Sequence, residues 1–453
     1  MASVSPPPPP DLLSARERRE AGQAARTRLP RGAHGIWSAP ADRRDPVELL
    51  LAADAGRIPA LLPLRYQRMQ ANPFAFLRGS AAIMAADLGA MPNTGIVVQA
   101  CGDCHLANFG AYASPEGTPV FDINDFDETL PAPFEWDLKR LAASLVLAGR
   151  VQTMTEKQVR ALVRRAAHAY RHHIHDLAQV APLEAWRARI DLESAVEDIA
   201  DRTERRAERQ RLEHAVATSR DAYRHLVTPD GLRLPENPPA VFRLGPQEQV
   251  AHAAFAAYVV TLAEERRVLV ARYRLRDVAF KAVGVGSVGT FCAIGLFVTA
   301  DGDTLLLQLK EALRSVLAPY AGESAYGHQG ERVVTGQRMM QAATDVFLSW
   351  AEDASGRQFY VRQLKDAKLA RIGVRIGEVA LPFYARLCGR TLARAHARSG
   401  DAARIAGYLG DGDAFDEALA GFALAYAAQA EADHAEFVTA IRAGRIEASA
   451  EPT

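Results

Sequence analysis

The chain of 453 residues carries no excess charge of either sign: Lys+Arg and Asp+Glu number 54 each. It therefore has no basic field to attract nucleic acid or an anionic membrane surface. No run approaches the roughly 20 apolar residues needed to span a bilayer. The opening stretch MASVSPPPPPDLLSARERRE has no apolar segment resembling a signal peptide. These absences predict a cytoplasmic protein with no nucleic-acid or membrane partner, and they leave the oligomeric state open. Cysteine is scarce too, with four in all.

Two of those four fall in CGDCHLANFG, Cys101 to Gly110. C-x-x-C-H is the spacing of a c-type haem attachment, and C-x-x-C that of a dithiol or half a zinc site. Haem attachment takes place outside the cytoplasm, and zinc would need two more ligands. Cys292 and Cys388 are single and stand in apolar surroundings, which suits buried thiols. A redox dithiol would need an exposed helix start, whereas this pair follows the apolar run GIVVQA. What remains is G-D-x-H-x-x-N, formed by Gly102, Asp103, His105 and Asn108.

The sequence divides into regions of different texture. Residues 1–30 are Pro-rich and then charged, and are expected to be disordered. Residues 31–276 read as a helical lobe that contains the short strands GIVVQA and PVFDI, with an amphipathic helix beginning near Trp136. Charge runs such as RTERRAERQRLEH read as solvated helix faces. Residues 277–370 alternate and are rich in Gly and β-branched residues, predicting a small antiparallel sheet. Residues 371–453 return to helix and complete the helical lobe. The fold class expected is α+β.

The acids Asp122, Asp125, Asp127 and Glu128 crowd into FDINDFDE at a strand end. Carboxylates so close repel one another unless a cation neutralises them. Mg²⁺ takes one or two such oxygens together with substrate phosphates; the alternative is a solvated acidic turn. Asp103, at the end of the preceding strand and followed five residues later by Asn108, has the spacing of a kinase catalytic loop. There the Asp accepts the acceptor hydroxyl's proton and the Asn holds a metal ion.

GDCHLANFG thus resembles the GDxHxxN loop of aminoglycoside phosphotransferase-like kinases, and NDFDE resembles their DFD-type motif. Asp137 in WDLKRLAAS stands where those kinases carry a structural Asp. The resemblance implies a Gly-rich loop and a strand Lys, and both lie downstream rather than upstream. VGVGSVGT supplies Gly284, Gly286, Ser287 and Gly289 to cover a nucleotide, and Lys310 would pair its phosphates, with Lys365 as a rival. Glu331 would orient Lys310, and FYVRQL would lead to a hinge between lobes. The parts come in rotated order, implying a circularly permuted, two-lobed, kinase-like fold. From about Leu62 onward the chain also resembles the uncharacterised bacterial domain-of-unknown-function family 2252, through LRYxRM, FxFxRG, GDxHxxNFG, NDFDE, WDLKRLAxS and LARAHARSGD.

The function expected from this resemblance is an ATP- and Mg²⁺-dependent phosphotransferase acting on a small hydroxylated molecule. Asp103 is the expected base, supported by His105. Asn108 and Asp125 are the expected metal ligands, with Asp122 and Asp127 as further candidates. The alternatives are AMP transfer, a nucleotide-binding module without transfer, or a CxxC redox or metal protein. Arg65, Arg68 and Arg78 are either phosphate contacts or surface arginines. His172, His173, His175 and His396 read as packed helix histidines.

Overall fold

The structure, a computed structural model, describes residues 13–449 apart from 198, 200, 218–225, 229, 283 and 365–380. It is a mixed α+β fold, mostly helical, with small antiparallel sheets. Helix α1 (Ala15–Arg28) lies within the segment expected to be disordered. Its order has local and tertiary causes. Ser14 and Glu17 form a reciprocal capping box, and Arg26 donates to the carbonyls of Gly407 and Tyr408 at 2.5 and 2.9 Å. Four helices follow: α2 (Pro46–Ala53), α3 (Leu62–Gln70), α4 (Pro73–Gly79) and α5 (Ala81–Gly89). Asn72 caps α4 through the Ala75 N–H, with Pro73 in the first turn, where its missing N–H costs nothing.

Strand β1 (Val97–Ala100) pairs antiparallel with β4 (Leu130–Pro133). Between them lie the Cys101–Asn108 loop and a hairpin of β2 (Phe109–Ala113) and β3 (Pro119–Ile123). Helix α6 (Phe134–Val151) departs from the amphipathic expectation: every residue from Phe134 to Gly149 is buried. It is the axis of the helical body. Its charged residues are tolerated because they find partners inside. Glu135 accepts from the Thr94 N–H and hydroxyl at 2.7 and 2.9 Å, and Lys139 lies over the Phe422 ring.

Around α6 pack α7 (Glu156–Leu177) and three C-terminal helices described below. After α7 come α8 (Pro182–Arg187), α9 (Leu192–Glu197) and α10 (Arg202–Ala217), the last holding the charge run RTERRAERQRLEH.

The main sheet has six antiparallel strands: β5 (Val241–Phe242), β6 (Arg274–Lys281), β7 (Cys292–Val298), β8 (Thr304–Glu311), β9 (Ser349–Glu352) and β10 (Gln358–Gln363). Their spatial order is β5-β6-β7-β8-β10-β9. Helix α11 (Gln247–Thr261) packs Phe255 and Tyr258 onto Phe280, Phe297, Leu307 and Val361, making a core separate from that of the helical body. After α12 (Glu264–Val270) and the turn α13 (Ala318–Ala321), α14 (Gln329–Met340) joins sheet to body. Its Val333, Val334 and Met340 enter the core built on α6. The last helices are α15 (Leu381–Ser399), α16 (Ala402–Leu409) and α17 (Ala414–Arg442).

Arg43 ties the N-terminal helices to α17. Its guanidinium bridges Asp87 of α5 and Asp433 of α17, both at 2.7 Å and both carboxylates almost fully buried. Removing the shared cation leaves two buried acids uncompensated. Arg43→Met is expected to destabilise the fold by about 3–5 kcal/mol, read as a lower urea midpoint with the slope unchanged.

Candidate active site

The Cys101–Asn108 loop is fixed from beneath. The Asp137 carboxylate, in the first turn of α6, accepts the N–H groups of Cys101 and Gly102 at 2.7 and 3.0 Å. Gly102 has φ +85° and stands against the Glu128 carbonyl, where a Cβ would approach to 2.3 Å. The loop also closes on itself. Asn108 Nδ2 donates to the Asp103 carbonyl at 2.7 Å, and the Asn124 N–H donates to the Asn108 carbonyl at 2.7 Å. Bonding through Nδ2 leaves the Asn108 Oδ1 as the amide's acceptor atom.

The Asp103 carboxylate projects from this loop and is 18% exposed. Arg140 of α6 holds its Oδ1 at 2.5 Å, while His105 Nε2 lies 3.7 Å from Oδ2. His105 is buried, and burial pushes its pKa down to about 4, Asp103 opposing this and Arg140 and Arg78 adding to it. Cys101 and Cys104 are buried free thiols. Cys101 Sγ is 3.3 Å from the Asp125 carbonyl, and burial pushes the Cys104 thiol well up, the reverse of what a thiolate centre requires.

The acidic segment divides its labour. Asp122, a candidate metal ligand by sequence, is 1% exposed and taken by a buried ion pair with Arg394 of α15. It also accepts the Ile123 and Ala342 N–H groups, so it is structural. Asp125 and Asp127 lie on the loop after β3, each nearly three-tenths exposed, and meet Lys310 of β8. Lys310 Nζ is 2.5 Å from Asp127 Oδ2 and 3.6 Å from Asp125 Oδ1. The Tyr360 hydroxyl donates to Asp127 Oδ1 at 2.6 Å. Burial alone would push the Lys310 ammonium down, but Asp125 and Asp127 outweigh it and hold it well above its usual value. Burial likewise works against the Asp125 carboxylate, which Lys310 and Arg362 nonetheless keep below its usual value.

Glu331 does not hold Lys310. It sits in the first turn of α14, where its N–H bonds His328 Nδ1, and it makes no ion pair with the lysine. The α14 residue that reaches the acidic loop is its neighbour Arg332, which donates to the carbonyls of Asp127, Thr129 and Leu313. Lys365 lies outside the described residues.

Residues 284–290 of VGVGSVGT lie in the turn between β6 and β7, as its glycines predict. Gly284 and Gly289 have φ +54° and +91°. Its carbonyls are held by the segment that includes Arg57, Ile58 and Arg65, ahead of the Cys101–Asn108 loop. Arg65 donates to Val285 and Gly286 at 2.7 and 3.1 Å, Arg57 to Val288 at 2.8 Å, and the Ile58 N–H to Gly289 at 2.7 Å. Asp54 binds both Arg57 and Arg65. Arg65 is thus a buried structural clamp rather than a phosphate contact, and Arg68 touches the Gly284 carbonyl at 3.3 Å. Among the described residues, no protein acceptor takes the N–H groups of Gly286, Ser287, Val288 or Gly289. A Cβ at Gly286 would lie 4.0 Å from Asp103 Oδ2, so the glycine turn stands over that carboxylate.

Asp103, Asn108, Asp125, Asp127, Lys310 and the glycine turn therefore converge; Asp122 and Glu331 do not join them. Sequence reasoning missed Arg140, Tyr360 and Arg362. The last two carried a signal, since polar residues two apart in an apolar strand share a face. Lys310 faces Tyr360 and Gln308 faces Arg362 across β8 and β10. Among the described residues no group of three or more His, Cys, Asp and Glu side chains could hold a metal. The hard oxygen donors of Asn108, Asp125 and Asp127 still fit Mg²⁺, which needs few protein ligands when phosphates supply the rest. A concavity of about 1190 Å³ lies elsewhere, between α7, α15 and the α16–α17 turn.

Between pH 6.5 and about 4 the unfolded chain binds a proton at His105 that the folded chain refuses. This contribution to stability is complete above pH 6.5 and is lost as the pH falls through that window. From pH 7 to pH 5 the wild type should lose about 2 kcal/mol more than His105→Asn, measured by urea denaturation at both pH values.

No curated protein and no solved structure matches the chain. A family model described as an uncharacterised protein conserved in bacteria matches residues 57–440, from the segment that clamps the glycine turn to α17. The chain belongs to that bacterial family, DUF2252.

Proposed function

We propose that this protein is an ATP- and Mg²⁺-dependent phosphotransferase of kinase-like type, acting on a small hydroxylated molecule. One observation carries the reading. Lys310, on the third strand counted from the glycine turn's first, meets two acids that follow Asp103 in the chain, while the glycine turn stands over Asp103 itself. Kinases require a glycine loop, a lysine on the third strand, a catalytic-loop Asp with an Asn five residues on, and a following metal Asp. The order of β6, β7, β8, β10 and β9, with α14 between β8 and β9 in the chain, supports a nucleotide lobe of that type. Its position after the catalytic-type loop supports a permuted arrangement.

In this reading the free N–H groups of Gly286 to Gly289 bind phosphate oxygens, and Lys310 turns from Asp127 toward the α and β phosphates. Asp103, oriented by Arg140, accepts the proton of the acceptor hydroxyl. A new bond forms between that oxygen and the terminal phosphorus, the bond from that phosphorus to the bridging oxygen breaks, and ADP leaves. Asn108, Asp125 and Asp127 would hold Mg²⁺, which when bound neutralises phosphate charge. Glu331 departs from the kinase pattern, and the acids themselves hold the lysine.

A nucleotide module without transfer is the second reading, favoured by the burial of Lys310 at 2% exposure and its engagement with both acids. Melting with and without ATP and Mg²⁺ tests both. At a hundredfold excess over Kd, ATP should stabilise the wild type by about 2.7 kcal/mol. Lys310→Met should lose that stabilisation, while Asp103→Ala should keep it and abolish ATP consumption with a metabolite extract. Binding by the wild type without consumption would favour the module, and no binding would overturn both readings.

A further inference from the structure

Arg78 is a cation of this region whose charge, among the described residues, no protein acceptor meets. It lies in the last turn of α4, and its backbone is fixed on both sides. The preceding carbonyl, Leu77, accepts from Arg140 at 2.8 Å, the arginine that holds Asp103. The following carbonyl, Gly79, accepts from Arg65 at 2.6 Å, the arginine that holds the glycine turn. Its own carbonyl lies 3.1 Å from where a Cβ would stand on Gly286. The sequence thus sets Arg78 between the candidate base and the candidate phosphate loop.

Its side chain is partly buried along the Phe74 ring, with the guanidinium carbon 5.9 Å from the centroid. The Nε is buried without an acceptor, and among the described residues Arg78 forms no ion pair. Asp103 is bonded to Arg140 through Oδ1 and makes no ion pair with Arg78. Burial pushes the guanidinium down and Asp103 pulls it back, so the two charges sense one another without bonding. A desolvated cation without a partner is costly, and an arginine is the side chain best shaped to take two oxygens of a phosphate.

We infer that Arg78 binds the phosphoryl group being transferred, the terminal one of the triphosphate, through N–H bonds to its non-bridging oxygens. This rests on the phosphotransferase reading and deepens it by naming the residue that recognises the terminal phosphoryl group. Arg78 exchanges no proton; the hydroxyl proton still goes to Asp103 and the bridging oxygen leaves with ADP. The charge on Arg78 acts on the group that passes between Gly286 and Asp103, where negative charge on the transferring phosphoryl oxygens is greatest.

The test compares Mg²⁺-ADP with the Mg²⁺ complex of the β,γ-imido analogue of ATP by titration calorimetry. The proteins are the wild type, Arg78→Ala, Arg78→Lys and Lys310→Met. The wild type should prefer the triphosphate. Arg78→Ala should lose about tenfold or more in affinity for it and keep its affinity for ADP, and Arg78→Lys should recover part of the loss. If Arg78→Ala does not fold, Arg78→Gln serves in its place. An Arg78 variant that binds the triphosphate like the wild type, or loses ADP in equal proportion, overturns the assignment. The phosphotransferase reading survives that outcome if the wild type binds both nucleotides and Lys310→Met binds neither. A wild type that binds neither nucleotide overturns the reading and this inference together.

Discussion

The Asp137 carboxylate, held inside the first turn of a helix buried on every side, takes two consecutive backbone N–H groups at the start of the Cys101–Asn108 loop. A carboxylate at a helix N-terminus is favoured by the helix dipole, and here it also satisfies two amides that the loop cannot pair with a neighbouring strand. With residues 101 and 102 fixed, Asp103 has little freedom in where its side chain emerges. Arg140, one turn further along the same helix, then meets that side chain. One helix therefore sets the depth of the loop, through Asp137, and the direction of its carboxylate, through Arg140. The burial of α6 is a condition for the geometry of the site.

The opposite wall is positioned by different means. The carbonyls of the glycine turn are bonded to Arg57, Arg65, Arg68 and the Ile58 amide, all from a segment more than two hundred residues earlier in the chain. A glycine-rich turn has many accessible conformations and loses more entropy on ordering than any other stretch of its length. Bonding its carbonyls from outside selects one conformation and leaves the N–H groups as its remaining polar surface. Asp54 ties the two main arginines, so the clamp is a connected network.

Much of this was legible from residue types. The glycine spacing marked the turn, the alternation after Asp277 marked the antiparallel sheet, and Asp103 with Asn108 marked the loop that the Asn amide closes. What could not be read depended on long-range pairing. Asp122 and Asp125 look equivalent in FDINDFDE, and only the arrival of Arg394 from α15 makes the first structural and leaves the second at the surface of the site. Glu331 sits at a suitable distance along the chain, but the rotation of α14 sends Arg332 to the acidic loop in its place. The all-round burial of α6 was hidden because its charged residues mimic a solvated face; each has an internal partner that periodicity cannot reveal. The order of α1 was hidden because Arg26 holds it through backbone carbonyls of α16, which carry no residue-type signal, and Arg18 through Asp401, far away in the chain.

The acidic loop serves two ends, and this explains how a lysine with 2% exposure is tolerated. Lys310 and Tyr360 are cross-strand partners on β8 and β10, and both bond to Asp127; two pairs along, on the same face, Arg362 bonds Gln308 and reaches the Asn124 carbonyl. Arg332 adds bonds to the carbonyls of Asp127 and Thr129. The polar face of the sheet is thereby attached to the helical body through one short stretch, residues 124–129. The desolvation cost of Lys310 is offset where the two bodies meet, so the contacts that assemble the candidate site are also contacts that hold the sheet in place. A ligand that drew Lys310 away from Asp127 would leave Tyr360, Arg362 and Arg332 holding the joint. The sheet's attachment therefore does not depend on the lysine alone.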